Sequence, residues 1–158
     1  VYGIISMSKP SILHMLTATK NVSPFDVNMA CDAGWNNVIP YTQVEQAEVT
    51  ALVQDAIFSR GPKGVRLTGI FIGGRDIDMA MDMLQLARDA MVPPFEVSVF
   101  ADPSGAFTTA AGLVACVERQ LNKAHDTSLM GQRVLVFGGS GPVGAAASVI
   151  ARRNGPRS

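Results

Sequence analysis

The sequence predicts an α/β fold: a three-layer amino-terminal domain with a mostly parallel sheet, followed by the first strand and helix of a second unit. Three observations predict it. Short runs rich in branched and aromatic residues alternate with longer segments of helical period, the pattern of βαβ units. Near the end, "VLVFGGSGPVG" sets an apolar run directly ahead of a glycine-rich turn. The 158 residues suffice for one compact domain and a stub, and are too few for two ordinary domains.

In chain order, "SILHML" reads as the first strand, and "SPFDVNMACDAG" follows it as a helix. Ser23 is its N-cap, Pro24 its first residue, Asp26 its capping-box acid and Gly34 its stop. From Val44 to Ser59 the apolar positions Val49, Leu52, Val53, Ala56 and Ile57 recur on one helical face. "GPKG" and Arg66 read as a loop, and "LTGIFIGG" as a central strand ending in paired glycines. The next helix carries a stripe of Ile77, Ala80, Met81, Leu84, Ala87 and Met91, and "VPPF" ends it because proline cannot continue a helix. "EVSVFAD" is a further strand and "PSGAFTTAAGLVACVERQLNKA" a further helix, with Ala110, Leu113, Val114, Val117 and Leu121 buried. After the polar "HDTSLMGQ", Val134 to Phe137 read as a buried strand. The expected domains are 7–125 and 126–158.

Composition narrows the function classes. Apolar residues make up 47% and charged residues 16%, and 13 basic residues balance 13 acidic ones, which suits a soluble globular protein and gives no basic footprint for nucleic acid. The apolar stretches fall short of the roughly 18 residues of a membrane span. The opening residues lack a charged start and a cleavage site and make a poor secretory signal; a start at Met7 would leave six residues upstream. Cys31 and Cys116 form no C-x-x-C pair, are expected to be buried and unreactive, and fit a reducing, cytoplasmic setting. No metal site is expected: His14, on an apolar strand, reads as a hydrogen-bonded core residue, since no second histidine stands at ligand spacing. No nucleophile arrangement supports hydrolysis.

Two stretches carry chemistry. Gly139, Gly141 and Gly144 have the G-x-G-x-x-G spacing of a dinucleotide turn, in which glycines permit the bend, the approach of a pyrophosphate and close packing of the helix. A strand before and an alanine-rich helix after make this the start of a truncated Rossmann domain, with Pro142 in the first helical turn. The alternative is a purely structural turn. The acidic residue that would grip the ribose is due about 20 residues further on, at or beyond Ser158, so NAD and NADP are not distinguished. "FADPSGAFTT" places Asp102, Ser104, Thr108 and Thr109 where a strand ends and a helix begins, the position of ligands in open α/β sheets, or else where Asp102 and Ser104 simply cap the helix. "GIFIGGR" has the same two readings, as a substrate loop or a flexible one. Asp32, near a helix end, is oddly placed for a negative charge.

"SILHMLTATK", "SPFDVNMACDAGW", "VIPYT", "DAIFSRGP", "TGIFIGG", "VPPFEVSVFADPSGAFTT" and "VLVFGGSGPVG" together resemble the methylene-tetrahydromethanopterin dehydrogenases of methylotrophic bacteria, most closely the form accepting NAD or NADP. The likeness runs from about Ser11 to Ile150. It implies an amino-terminal α/β domain joined to a Rossmann domain, with pterin and nicotinamide meeting between them, in a cytoplasmic homo-oligomer that works in formaldehyde oxidation. This chain departs from that pattern by ending inside the second domain. The chemistry implied needs no triad or metal, and no catalytic residue is singled out. By the resemblance, Gly139, Ser140, Gly141, Pro142, Val143 and Gly144 match the phosphate turn for NAD or NADP. Asp26, Asp32 and Asp102 are the carboxylate candidates for the tetrahydromethanopterin-type pterin, and Ser104, Phe107, Thr108 and Thr109 the residues shaping its pocket. Two other readings stand beside it: a non-catalytic α/β fragment that at most binds a pterin or phosphate ligand, and a related folate-type dehydrogenase.

Overall fold

The computed structural model describes residues 9–154, so the expected start at Met7 lies outside the described residues. The chain divides into two compact units, one up to Ala101 and one from Asp102 onward. This division falls ahead of the expected boundary at 125.

The first unit is built on a four-stranded, all-parallel sheet in the order β2-β1-β3-β4. The strands are β1 (Ile12–Leu16), β2 (Asn37–Tyr41), β3 (Thr68–Ile72) and β4 (Ser98–Ala101). Register pairs Leu13 with Gly69 and Met15 with Phe71 on one face, and His14 with Ile70 and Leu16 with Ile72 on the other. Period-two alternation thereby sends Leu13 and Met15 to a core shared with Ala30 of α1 (Pro24–Asp32). Leu16, Ile70 and Ile72 go to the larger core with Val49, Val53 and Ile57 of α2 (Gln46–Phe58) and Ala80, Met83 and Ala87 of α4 (Ile77–Asp89). The layers are therefore α1, sheet, and α2 with α4, as the alternating pattern predicts.

The helix starts are local chemistry. Ser23 Oγ accepts the Asp26 N–H at 3.4 Å and Pro24 occupies the first turn of α1. A reciprocal Glu45/Glu48 box opens α2, with the Glu45 N–H donating to Glu48 Oε2 at 2.8 Å. Asp76 Oδ1 accepts the Met79 N–H at 3.0 Å at the start of α4.

Several expectations are corrected. The "GPKG" loop is a short helix, α3 (Gly61–Gly64), continued by a 3₁₀ turn at Val65–Leu67. On α4 the buried stripe contains Met83, while Met81 is 43% exposed; methionines at 79, 81 and 83 look alike to a periodicity argument, and packing chooses among them. β2 carries no strong strand pattern because Pro40 interrupts it, and proline is tolerated there because β2 is an edge strand. Cys31 and Cys116 are exposed rather than buried. Cys31 sits one residue, about 100° of helix, beyond the buried Ala30.

In the second unit, α5 (Ala106–His125) packs against α6 (Pro142–Asn154) through Ala110, Val114, Leu129, Ala147 and Ala151. Leu113 and Val117, expected in that core, are half exposed. No strand forms at Val134–Phe137, and Leu135 and Phe137 are 78% and 90% exposed. A parallel strand exists only by bonding to a neighbour, and the described residues of this unit contain no other strand.

Candidate functional site

Strand order fixes where a ligand can sit in the first unit. From β1 the chain turns to α1 on one face, and from β3 to α4 on the other, so the loops after β1 and β3 diverge and leave a crevice outside the carboxyl ends of these adjacent strands. The crevice is polar and braced. Thr17, 1% exposed, continues β1, and its Oγ1 lies 2.8 Å from Thr19 Oγ1 and accepts the Thr19 N–H at 3.2 Å. Thr19 Oγ1 donates in turn to the Asn21 carbonyl at 2.7 Å. After β3, Gly73 N–H donates to the Leu16 carbonyl at 3.0 Å, which ties the two strand ends together. A Cβ on Gly73 would lie 3.4 Å from Asp26 Oδ2 and 3.2 Å from Phe71 Cε1. Asp26 is half-buried, and its carboxylate rests over the end of β3. Sequence reasoning singled out Asp26 but missed Thr17 and Thr19, because the strand order that makes their loop a crevice wall is a tertiary property.

Asp32 is not brought to Asp26. It is the exposed last residue of α1, six residues and about 9 Å of helix away. In a βα unit that end of the helix lies toward the amino ends of the strands. Those ends are clamped structurally: Arg60 donates to Thr68 Oγ1 at 3.1 Å and to the Pro10 carbonyl at 2.6 Å, and Lys9 Nζ donates to the Arg60 carbonyl at 2.8 Å.

His14 is the hydrogen-bonded strand residue expected, with Nδ1 3.1 Å from Tyr41 Oη. Burial first, and the Arg60 guanidinium second, lower its pKa below the ordinary histidine value. Its sign is that of a base whose charged form the fold disfavours. As pH falls through about 6.5 the unfolded chain takes up a proton that the native state refuses, so stability declines, and it levels off below the native pKa. H14Q is expected to flatten this segment of the profile, compared by urea unfolding at pH values on either side of it. Equal declines in both proteins would assign the effect elsewhere.

In the second unit Asp102 is 6% exposed and caps α5. Phe107 and Thr108 N–H donate to its Oδ1 at 2.8 and 3.3 Å, and the Thr108 hydroxyl to its Oδ2 at 2.5 Å. The chain enters the helix through Ser104 and Gly105, both left-handed with φ of 56° and 64°. The capping reading therefore holds for Asp102. Ser104, Thr108 and Thr109 are exposed and Phe107 is half-buried, so the tight turn gathers these candidates at one helix start.

The glycine turn is compact. Gly138, at φ 77°, makes the bend that the sequence pattern assigned to Gly139. Gly141 N–H donates to the Gly138 carbonyl at 3.0 Å, and Ala145 N–H returns to the Gly141 carbonyl at 2.8 Å, opening α6. Gly144 has no room for a side chain: its Cβ would collide with the Gly138 carbonyl oxygen and stand 2.7 Å from the carbonyl carbon. This is the close helix packing that the third glycine of a dinucleotide turn provides. The amide of Gly141 is spent inside the turn, whereas those of Val143 and Gly144 are first-turn donors without intrahelical acceptors. A cavity of about 230 Å³ in this unit is lined by apolar side chains, among them Val114, Leu129, Leu135, Phe137 and Ala147, and by none of the turn residues. It has no polar side chain to orient a nucleotide, and it is space beneath the unpaired 134–137 segment rather than a cofactor seat.

Residues 24–104 match the family described as methylene-tetrahydromethanopterin dehydrogenase, N-terminal. Among similar proteins is an NAD(P)-dependent methylenetetrahydromethanopterin dehydrogenase of Methylorubrum extorquens, 55% identical over 146 residues, an alignment covering 92% of this chain and 49% of that protein. The bifunctional protein MdtA of the same organism is 33% identical over 134 residues, 85% of this chain and 45% of its own length. The chain thus spans about half the length of the curated relatives it matches.

Proposed function

The chain belongs to the methylene-tetrahydromethanopterin dehydrogenase amino-terminal family, and from that premise we propose that it serves hydride transfer from methylene-tetrahydromethanopterin to NAD or NADP in one-carbon oxidation. The observation that carries this reading is the 55% identity maintained over 92% of the chain. In the reaction the hydride and its electron pair leave a methylene carbon held between two nitrogens. The resulting positive charge spreads over an amidine-like unit, so no proton has to be removed. Residues of this chain then act by position and charge rather than as acids or nucleophiles. In the first unit Asp26 is the carboxylate at the ligand crevice. In the second, Asp102 holds Phe107, Thr108 and Thr109 at the start of α5. The fit of Gly144 against Gly138, with the first-turn amides of Val143 and Gly144, supports a dinucleotide diphosphate at the glycine turn. NAD or NADP, when bound there, supplies the hydride acceptor. A cytoplasmic homo-oligomer working in formaldehyde oxidation completes the proposal; among the described residues no helix is long and apolar enough to cross a membrane.

A second reading, an α/β fragment that binds a pterin or phosphate ligand without turnover, draws on the exposed and unpaired Val134–Phe137 segment. Calorimetric titration of the chain with NAD, NADP and methylene-tetrahydromethanopterin, with reduced nicotinamide followed by absorbance, separates the two. Micromolar dinucleotide binding with formation of reduced cofactor is the expected result for the dehydrogenase, and pterin binding without turnover for the fragment. A folded chain that binds neither would overturn both readings.

A further inference from the structure

We infer that β4 is a docking edge for a second copy of this chain, the two β4 strands pairing antiparallel about a two-fold axis at Val99 and joining two four-stranded sheets into one; this rests on the homo-oligomer reading above. The sheet has two edges, and they are built differently. β2, at one end, carries Pro40, and a proline takes a donor out of any ladder that a further strand would form there. β4, at the other end, has no such guard: from Val97 to Ala101 the chain contains no proline and no charged side chain. Among the described residues β4 makes no backbone hydrogen bond beyond its ladder with β3. An unguarded edge is a template for another strand, so this sheet is built to stop at β2 and to continue past β4.

The residues of β4 select a second copy as the strand that continues it. A two-fold axis perpendicular to the sheet reverses the strand direction and keeps each face continuous, so residues directly opposite share a face. With the axis at Val99, Phe100 of each copy lies opposite Ser98 of the other, a large side chain beside a small one. Phe100 is 51% exposed although its ring stands 6.3 Å from that of Phe71, its register neighbour on β3, and the second copy covers the side that Phe71 leaves open. On the other face Val99 meets its own counterpart and Val97 meets Ala101, and no like charges are brought together. At Asp102 the chain leaves the strand for the start of α5, which limits the pairing to these residues. About 17 Å of strand a side covers roughly 400–500 Å² per copy, close to the 1,000 Å² in all at which specific association begins. That size suits a reversible dimer with a dissociation constant on the order of 10 μM. Both β4 edges are used up by the axis, and the edges left over are the two proline-bearing β2 strands, so assembly closes at the dimer.

The test is sedimentation velocity of the chain from about 1 to about 300 μM, for wild type, S98K, F100E and an equimolar mixture of the two variants, with thermal melts as the control for folding. Wild type is expected to show a reversible monomer–dimer equilibrium, and each variant alone to dimerise at least tenfold more weakly. The mixture should recover the dimer, because the new lysine of one chain then faces the new glutamate of the other while Phe100 and Ser98 still meet at the second contact. Damage to either fold would not be repaired by mixing. Assembly that S98K leaves intact, whether through the exposed Val134–Phe137 segment or another surface, overturns this inference and leaves the homo-oligomer reading standing, as does a mixture that stays monomeric. A wild-type chain that is monomeric at every concentration overturns both.

Discussion

Replacing Gly144 with alanine is expected to destabilise the second unit by about 1–3 kcal/mol and to weaken dinucleotide binding tenfold or more. The cause is a backbone collision, which no rotamer change relieves. The new Cβ would strike the Gly138 carbonyl and approach Gly139 Cα to 2.9 Å, so either the start of α6 lifts from the turn or the turn opens. Both movements break the 3.0 Å bond from Gly141 N–H to the Gly138 carbonyl, and with it the fixed position of the first-turn amides. Other glycines of the same unit serve as controls of opposite expectation. At Gly139 the nearest atom to a Cβ is the Val136 carbonyl oxygen at 3.4 Å, an ordinary contact. Gly112, exposed within α5, would meet nothing within 4 Å, so G112A should stabilise by about 0.5–1 kcal/mol through reduced freedom of the unfolded chain. Thermal melts and NADH titration check all three. A G144A protein with unchanged melting and affinity would show that the packing of α6 on the turn does not build the phosphate seat.

What the sequence disclosed divides along a physical line. Features encoded within a few neighbouring residues were legible: the Ser23 cap and Pro24 start of α1, the Gly34 stop, the buried face of α2, and β3 with its paired glycines. Features decided by a distant partner were not. Pro40 hides β2 because the permission for proline comes from its place at the sheet edge. Val134–Phe137 has the composition of a buried strand, but composition cannot supply the neighbour that a ladder requires, and among the described residues none is present. The candidate site follows the same rule. Spacing alone marked the third glycine of the turn, and it marked the acid at the start of α1 as a capping residue; the candidacy of that acid for a ligand came only from the family resemblance. That Thr17 and Thr19 wall the same crevice as Asp26 became visible only when the order β2-β1-β3-β4 was known, whereas the place of Asp32 at the far end of α1 could already be read from the helix pattern.

Asp102 is where a capping role and a ligand role make opposite forecasts. Its two carboxylate oxygens take three donors from α5, in a setting only 6% exposed, and they fix the passage through the left-handed Ser104 and Gly105. D102A removes every one of those acceptors and leaves the amides of Phe107 and Thr108 without their partner. The loss is expected to be about 2–4 kcal/mol, combining a missing cap with desolvated donors. D102N keeps an oxygen for the two amides and can turn its amide nitrogen toward the Thr108 hydroxyl, which then accepts instead of donating, so it should cost about 1 kcal/mol. T108V, which deletes only the hydroxyl bond, should fall in the same range as D102N. Urea unfolding of the three variants therefore orders them with D102A far below the other two. A ligand role predicts the reverse allocation: stability almost untouched in D102A, and pterin affinity lost equally in D102A and D102N, because either change removes the negative charge. With both oxygens already committed to the helix, the first ordering is the one the geometry requires. The contribution of Asp102 to any bound pterin is then indirect, through the placement of Phe107, Thr108 and Thr109.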